Sequence, residues 1–469
     1  MIQTRIDHDL LGDRDVPFGA YWGVHTLRAV ENFAISGQTI GQVPDLIAAL
    51  AVIKQAAAMA NADLGLLDGA RRDAIVAACE EIRAGRLHDH FIVDQIQGGA
   101  GTSTNMNANE VIANRALEIM GHAKGEYRFL HPNEHVNMSQ STNDVYPTSL
   151  RLAAWAGIHR LILAMGSLRG AFADKAVEFA DILKMGRTQL QEAVPMTLGQ
   201  EFNTFAIMLG EDEARLAEAA QLILEINLGA TAIGTGITAH PEYAERVRAR
   251  LAEITGIPVV TAADLVEATQ DCGAFVQLSG VLKRVAVKLS KTCNDLRLLS
   301  SGPRACFNEI NLPARQAGSS IMPGKVNPVI PEVVNQVAFE VIGNDVTISF
   351  AAEGGQLQLN AFEPIIAYSL FRSVSHLTAA CRTLEENCVQ GITANRDVLR
   401  QVVENSIGIV TALNPYIGYA AATEVALEAH RSGRGVYELV LEKGLMSKER
   451  LDAVLRPDML TRPQAFWPR

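Results

Sequence analysis

The chain has few aromatic residues, no long uninterrupted apolar run, no excess of basic charge and no closely paired cysteines. Each shortage removes a class of protein. Aromatics make up 6% of 469 residues while apolar residues reach 48%. A β-rich protein draws on aromatic and β-branched residues, so this mixture, led by Ala and Leu, points to helices. A formal charge of −11 argues against a broad nucleic-acid surface, which needs clustered Lys and Arg. It leaves room for a small anionic substrate, because a few basic and hydroxyl groups make a site locally positive whatever the total. The longest apolar run, LIAALAVI at 46–53, stops at Lys54, short of the roughly 20 residues a membrane span requires. The N-terminus carries Asp7, Asp9 and Asp13 where a secretion signal would be apolar. Six cysteines, at 79, 272, 293, 306, 381 and 388, include no C-x-x-C pair, as expected of reduced core thiols in a cytoplasmic protein. Neither a nucleic acid nor a membrane is expected as a partner.

What is present is helical periodicity. Leu278, Leu282, Val285, Leu289, Cys293, Leu296 and Leu299 recur at steps of three and four, one apolar stripe of a helix. Phe202, Phe205, Leu209 and Leu216 make a second, and the segment from Val333 to Phe350 a third. Pro328 and Pro331 stand before that third run with Glu332 in its first turn, all favourable at a helix start. The run is apolar on much of its circumference, for which burial between subunits is the remedy. Alternating strands with hairpin turns are scarce. The expected fold is all-α, in three domains: a helical domain at 1–140, a central bundle of long helices at 141–395 and a small helical domain at 396–469. One boundary falls at the polar loop SQSTND, after which Pro147 opens a helix; the tail RPQAFWPR, with two prolines, stays out of helix.

Four polar loops interrupt the helices. GSSIMPGKVNP at 318–328 resembles a P-loop, but five residues separate Gly318 from Gly324 where the motif has four, and Val326 follows Lys325 where a metal-holding hydroxyl is needed. Another use is therefore sought for Ser319, Ser320, Lys325 and Asn327. GGAGTSTNMN at 98–107 precedes a helix whose free amides suit an anion, and is equally readable as a capping loop with Ser103 or Thr104 as the cap. SQSTND at 139–144 offers Ser141, Thr142 and Asn143, or is an ordinary turn. GRTQLQ at 186–191 offers Thr188 and Gln189. Together the loops supply hydroxyls, amides and one lysine, an inventory suited to a small dicarboxylate held by neutral donors and one cation. HPNEH at 131–135 has the spacing of a zinc helix, but Pro132 breaks a helix there and the motif is not H-E-x-x-H. HDH at 88–90 reads as solvent-facing. No metal and no cofactor is expected.

Taken together, GSSIMPGKVNP, QGGAGTSTNMNANE at 97–110, SQSTNDVYPT at 139–148, KMGRTQLQEAVPMTLGQEF at 184–202 and NPVIPEVVNQV at 327–337 resemble the aspartase/fumarase superfamily along essentially the whole chain. NEINLP, PEVVNQ and GQLQLN place the resemblance in its aspartase branch. It implies an all-α homotetramer whose central helices join in one bundle, with each active site built from loops of three subunits. It implies reversible deamination of L-aspartate to fumarate and ammonia through an enediolate, without a cofactor. Carried over by position, Ser319 would be the general base. Lys325 and Asn327 would bind a substrate carboxylate, and Thr102, Ser141, Thr142, Asn143 and Thr188 would hold the carboxylates and amino group, with Gln189 beside them. Many members carry His where Gln189 stands. Hydroxide leaves badly without a proton, whereas an ammonium already carries the proton it needs, so Gln189 favours ammonia release. The rival readings are a fumarate hydratase using the same site, a lyase for larger succinyl adducts or a substituted aspartate, and a silent homologue that kept only the fold.

Overall fold

The computed structural model describes residues 3–464, so the tail reading applies to described residues only as far as 464; residues 465–469 lie outside them. The chain is 62% helical, in line with the all-α expectation. Its N-terminal part holds helices α1 (Val24–Asn32), α2 (Pro44–Asp63), α3 (Gly69–Arg83) and α4 (Thr102–Ile119). The longest helix, α5 (Thr142–Glu178), is followed by α6 (Leu198–Leu222), α7 (Tyr243–Thr255), α8 (Leu265–Ala268), α9 (Gly273–Leu299), α10 (Val329–Glu353), α11 (Glu363–Asn387) and α12 (Arg396–Asn405). Two antiparallel hairpins, β1 (Thr4–Asp9) with β2 (Gly12–Pro17) and β3 (Leu183–Thr188) with β4 (Gln191–Thr197), are the main strands.

The chain divides into two compact units, one of Met1–Ile162, Ala214–Ala286 and Val337–Thr378, the other of Leu163–Glu213, Val287–Gln336 and Ala379–Arg469. In the first, α2 packs against α3 and α7. In the second, Phe172, Phe179, Phe202 and Phe205 make an aromatic core with edge-on contacts, Phe179 to Phe202 at 5.2 Å and Phe172 to Phe205 at 5.4 Å. Its C-terminal helices hold a core of their own around Leu413, Val425, Leu439, Val440 and Leu451.

The stripe Leu278 to Leu299 is the buried face of α9. On α10, Val334, Ala338, Val341 and Ile348 are buried while Phe339, Val346 and Phe350 face outward; the second apolar face is real.

Several expectations need correction. Lys54 ends the uninterrupted apolar run but not the helix: α2 continues to Asp63 and is long and apolar enough to cross a membrane by length and composition, yet 78% of its apolar window is buried inside the protein. Pro147 does not open a helix but lies inside α5, which starts at Thr142. Proline has no N–H to give to the carbonyl four residues back, and that carbonyl, of Asn143, accepts from Asn227 Nδ2 at 2.9 Å instead. Pro132 does not prevent a helical turn: Pro132–Val136 forms a five-residue π turn with proline in its first position, where the missing N–H costs nothing. His131 Nδ1 accepts from Asn133 N at 3.0 Å and His135 Nδ1 from His131 N at 2.8 Å. In HDH only Asp89 faces solvent; His88 Nε2 meets Ile82 O at 2.8 Å and His90 packs edge-on against Tyr21.

Candidate active site

The first cluster of candidate residues stands where α4 and α5 begin. Gly101, with φ +88, caps α4; a Cβ there would lie 2.3 Å from the Tyr146 ring, so only glycine allows α5 to pack beneath this loop. Neither Ser103 nor Thr104 is the cap. Thr104 N is instead satisfied by Gln97 Oε1 at 3.0 Å. Thr102 opens the helix, exposed, its hydroxyl donating to Gly99 O at 2.7 Å. One face of α4 then carries Asn105 and Asn109, both buried.

α5 begins with a reciprocal cap. Ser141 Oγ accepts from Asn143 N at 3.3 Å, and Asp144 Oδ1 accepts from Ser141 N at 3.0 Å, which is why S-x-x-D starts a helix here. Asp144 is buried, and its other oxygen takes Gly229 N at 3.0 Å and Thr231 N at 3.3 Å. Burial pushes its carboxyl up to about 6, against the pull of these amides and of Lys54. Thr142 Oγ1 accepts from Asn105 Nδ2 at 3.1 Å, and Asn143 Nδ2 donates to Ala232 O at 2.7 Å. Asn105 and the Tyr146–Gly101 contact thus bring Thr102 together with Ser141, Thr142 and Asn143.

The hydrogen-bond directions sort these groups. A hydroxyl has one hydrogen and two lone pairs. Ser141 and Thr142 accept from within the protein and keep their hydrogens for a ligand, as a carboxylate requires. Thr102 spends its hydrogen on Gly99 and presents lone pairs, as an ammonium requires.

Thr188 and Gln189 stand exposed at the tip of the β3–β4 hairpin, not in an irregular loop. Gln189 and Leu190 have φ of 53° and 63°, the left-handed pair of a tight two-residue turn. The hairpin base is held by charge: buried Glu309 lies between Lys184 Nζ at 2.7 Å and Arg187 Nη1 at 2.5 Å. Arg187 also caps the Phe307 ring at 4.2 Å.

Ser319, Lys325 and Asn327 share a third structure, a loop closed at its neck. Gly318 N donates to Lys325 O at 2.8 Å, and Asn327 Nδ2 donates to Gly318 O at 2.9 Å. A Cβ on Gly318 would lie 2.6 Å from Lys325 O and 2.9 Å from Asn327 N, so this glycine serves close approach and pins the loop. Gly324, with φ +81 and open space around it, makes the turn at the far side. Ser319 Oγ accepts from Met322 N at 2.9 Å and Ile321 N at 3.2 Å. Two amides aimed at one hydroxyl oxygen favour its anionic form.

Sequence reading missed Lys54, Asn105, Asn137, Asn227, Ala232 and Glu309. Two signals were present: a lone Lys inside an apolar helix, since Lys is almost never fully buried unless partnered, and Asn105 and Asn109 four residues apart on an otherwise apolar face.

The family model described as "Lyase" matches residues 12–343, and that described as "Fumarase C C-terminus" matches 409–462. An "Aspartate ammonia-lyase" of Pseudomonas fluorescens is 61% identical over 461 residues, 98% of this chain and 96% of the relative. A crystal structure described as fumarate lyase:delta crystallin from Brucella melitensis bound to cobalt has TM-score 0.96 and 55% identity, covering 98% of this chain and 100% of that one. A recombinant class II fumarase from Schistosoma mansoni has TM-score 0.92 at 34% identity, covering 97% and 98%.

Proposed function

The chain belongs to the aspartase/fumarase family of lyases, and on that premise we propose that it catalyses the reversible deamination of L-aspartate to fumarate and ammonia. The identity carries the choice within the family: 61% to an aspartate ammonia-lyase against 34% to a class II fumarase.

Ser319 Oγ takes a proton from C3 of aspartate. Its two amide donors, Met322 N and Ile321 N, stabilise the alkoxide that a serine must become to act as a base. The electrons of the C–H bond move into the adjacent carboxylate, giving a doubly charged enediolate. Lys325 and the outward hydrogens of Ser141 and Thr142 meet that charge as it develops. The electrons then return, C3 and C2 become doubly bonded, and the C2–N bond breaks with its pair leaving on ammonia. Thr102 and Asn143, with lone pairs to offer, hold the ammonium before it leaves; Gln189, beside Thr188, has no acid to give and none is needed. Asn327 keeps the loop neck closed and completes the carboxylate site with Lys325.

The enzyme works as a cytoplasmic homotetramer with shared sites. The outward Phe339, Val346 and Phe350 of α10 supply an apolar face for other copies. Ser141, Thr142 and Asn143 open α5, whereas Thr188 and Ser319 belong to segments far along the chain from them; sites completed by other subunits would unite these groups. The three-domain division belongs to the same proposal, and for its small C-terminal domain the support is the separate core around Leu439. The test is ultraviolet detection of fumarate from purified protein given L-aspartate or L-malate separately. Fumarate from aspartate is expected; fumarate from malate alone would make the protein a hydratase.

A further inference from the structure

Lys54 stands in the middle of α2 with no exposed surface. Removing an ammonium from water costs several kcal/mol even after the protein relaxes, so its position calls for a use. Its Nζ donates to Asn137 Oδ1 at 2.8 Å. The same oxygen accepts from Asn105 Nδ2 at 3.2 Å and Asn109 Nδ2 at 3.1 Å. On its other side, Asn137 Nδ2 donates to Gln140 O at 3.1 Å, so the amide has one orientation. Asn105 Nδ2 has two hydrogens; one goes to Asn137 and the other to Thr142 Oγ1 at 3.1 Å. Thr142 is therefore an acceptor on its inner side, and its single hydrogen points away from the network.

Lys54 sets the polarity of this series. With its N–H donors at the head, whether ammonium or neutral amine, Asn137 turns its oxygen inward; a flipped Asn137 would set its NH₂ against Lys54, Asn105 and Asn109, donor facing donor. Asp144 is the carboxylate whose charge bears on Lys54, and it is occupied by the amides of Ser141, Gly229 and Thr231. Burial lowers the Lys54 ammonium to about 7, opposed chiefly by the Asp144 carboxylate.

We infer that Lys54 is a positioning residue which, through Asn137 and Asn105, holds the Thr142 hydroxyl as a donor toward the substrate carboxylate. The inference rests on the proposed lyase reaction and names a group that never touches the substrate.

A double-mutant cycle tests it. Thr142→Val, Lys54→Met and the double variant are compared for kcat and KM with aspartate, alongside thermal midpoints. Loss of one hydrogen bond to a charged group is worth roughly 10- to 100-fold, so Thr142→Val is expected to lower kcat/KM by about that factor. Lys54→Met is expected to do the same, and the double variant to be no worse than the poorer single one. Losses that multiply in the double variant would overturn the relay and leave Lys54 a packing residue. Should Lys54→Met fail to fold, Asn105→Ala takes its place in the cycle with the same expectation and the same refuting outcome. Turnover by the wild-type protein separates the two claims: no fumarate from aspartate refutes the reaction, while multiplying losses in an active enzyme refute only the relay.

Discussion

Replacing Gly318 with alanine adds one methyl group at the neck of the loop that carries Ser319 and Lys325. The new Cβ would lie 2.6 Å from Lys325 O and 2.9 Å from Asn327 N, where van der Waals contact needs about 3.4 Å or more. Both neighbours are backbone, so the two sides of the neck must part by most of an ångström. That movement weakens two hydrogen bonds, Gly318 N to Lys325 O and Asn327 Nδ2 to Gly318 O, each worth about 1 kcal/mol. The residues from Ser320 to Val326 are exposed, so the loop can open without unfolding what lies beneath it. A small change in melting temperature is expected. Catalysis is less tolerant: a misplacement of about 1 Å costs on the order of 10²-fold. Gly318→Ala should therefore lower kcat/KM for aspartate by about two orders of magnitude while circular dichroism and the thermal midpoint stay close to wild type. The assay is fumarate release beside a thermal melt. Near-normal kcat/KM would refute the argument that a pinned neck positions the base, and a loss matched by unfolding would show the glycine to be structural.

Mixing Thr188→Ala and Ser319→Ala proteins by unfolding and refolding should restore activity that each parent lacks, because some shared sites then carry neither lesion; mixed tetramers that stay inactive would count against sharing. A pH prediction comes from Glu363, buried at the start of α11, whose carboxyl is pushed by burial from the ordinary 4.5 to about 8, with Arg151 opposing. Its folded pKa is raised, so between about 4.5 and 8 the unfolded chain has lost the proton and the folded chain keeps it. Stability attributable to this residue falls across that window, by up to roughly 1.4 kcal/mol per pH unit. Glu363→Gln should flatten the decline in denaturation midpoint between pH 5 and 8 relative to wild type; identical slopes would refute the assignment.

The long helices were legible because burial imposes a period of three and four, as the α9 stripe shows. The loops were legible because hydroxyl and amide residues clustered there with little other use. The β1–β2 hairpin was not, because its alternation is inverted: Arg5 and Asp7 are buried while Ile6 is exposed. Arg5 replaces an apolar contact with hydrogen bonds to Asp7 and to the carbonyls of Ala20 and Trp22 at 2.7 Å each. The hairpin bearing Thr188 was hidden for a different reason. Its turn sets Gln189 and Leu190 at positive φ, where the rules of turn chemistry look for Gly or Asn. Lys54 and Asn137, which support the start of α5, and Glu309, which supports the β3–β4 hairpin, come from segments distant in sequence from the groups they hold, and no local pattern joins them.

The role proposed for Ser319 as the base is tested by turnover of Ser319→Ala. Alanine removes the oxygen and leaves the amides of Ile321 and Met322 in an exposed loop, where water can replace it. The variant is expected to be a folded tetramer that still binds a dicarboxylate but releases fumarate from aspartate roughly 10²- to 10⁴-fold more slowly or worse, the scale of a lost general base. A variant that turns over aspartate at close to the wild-type rate would contradict it and move the base to another residue.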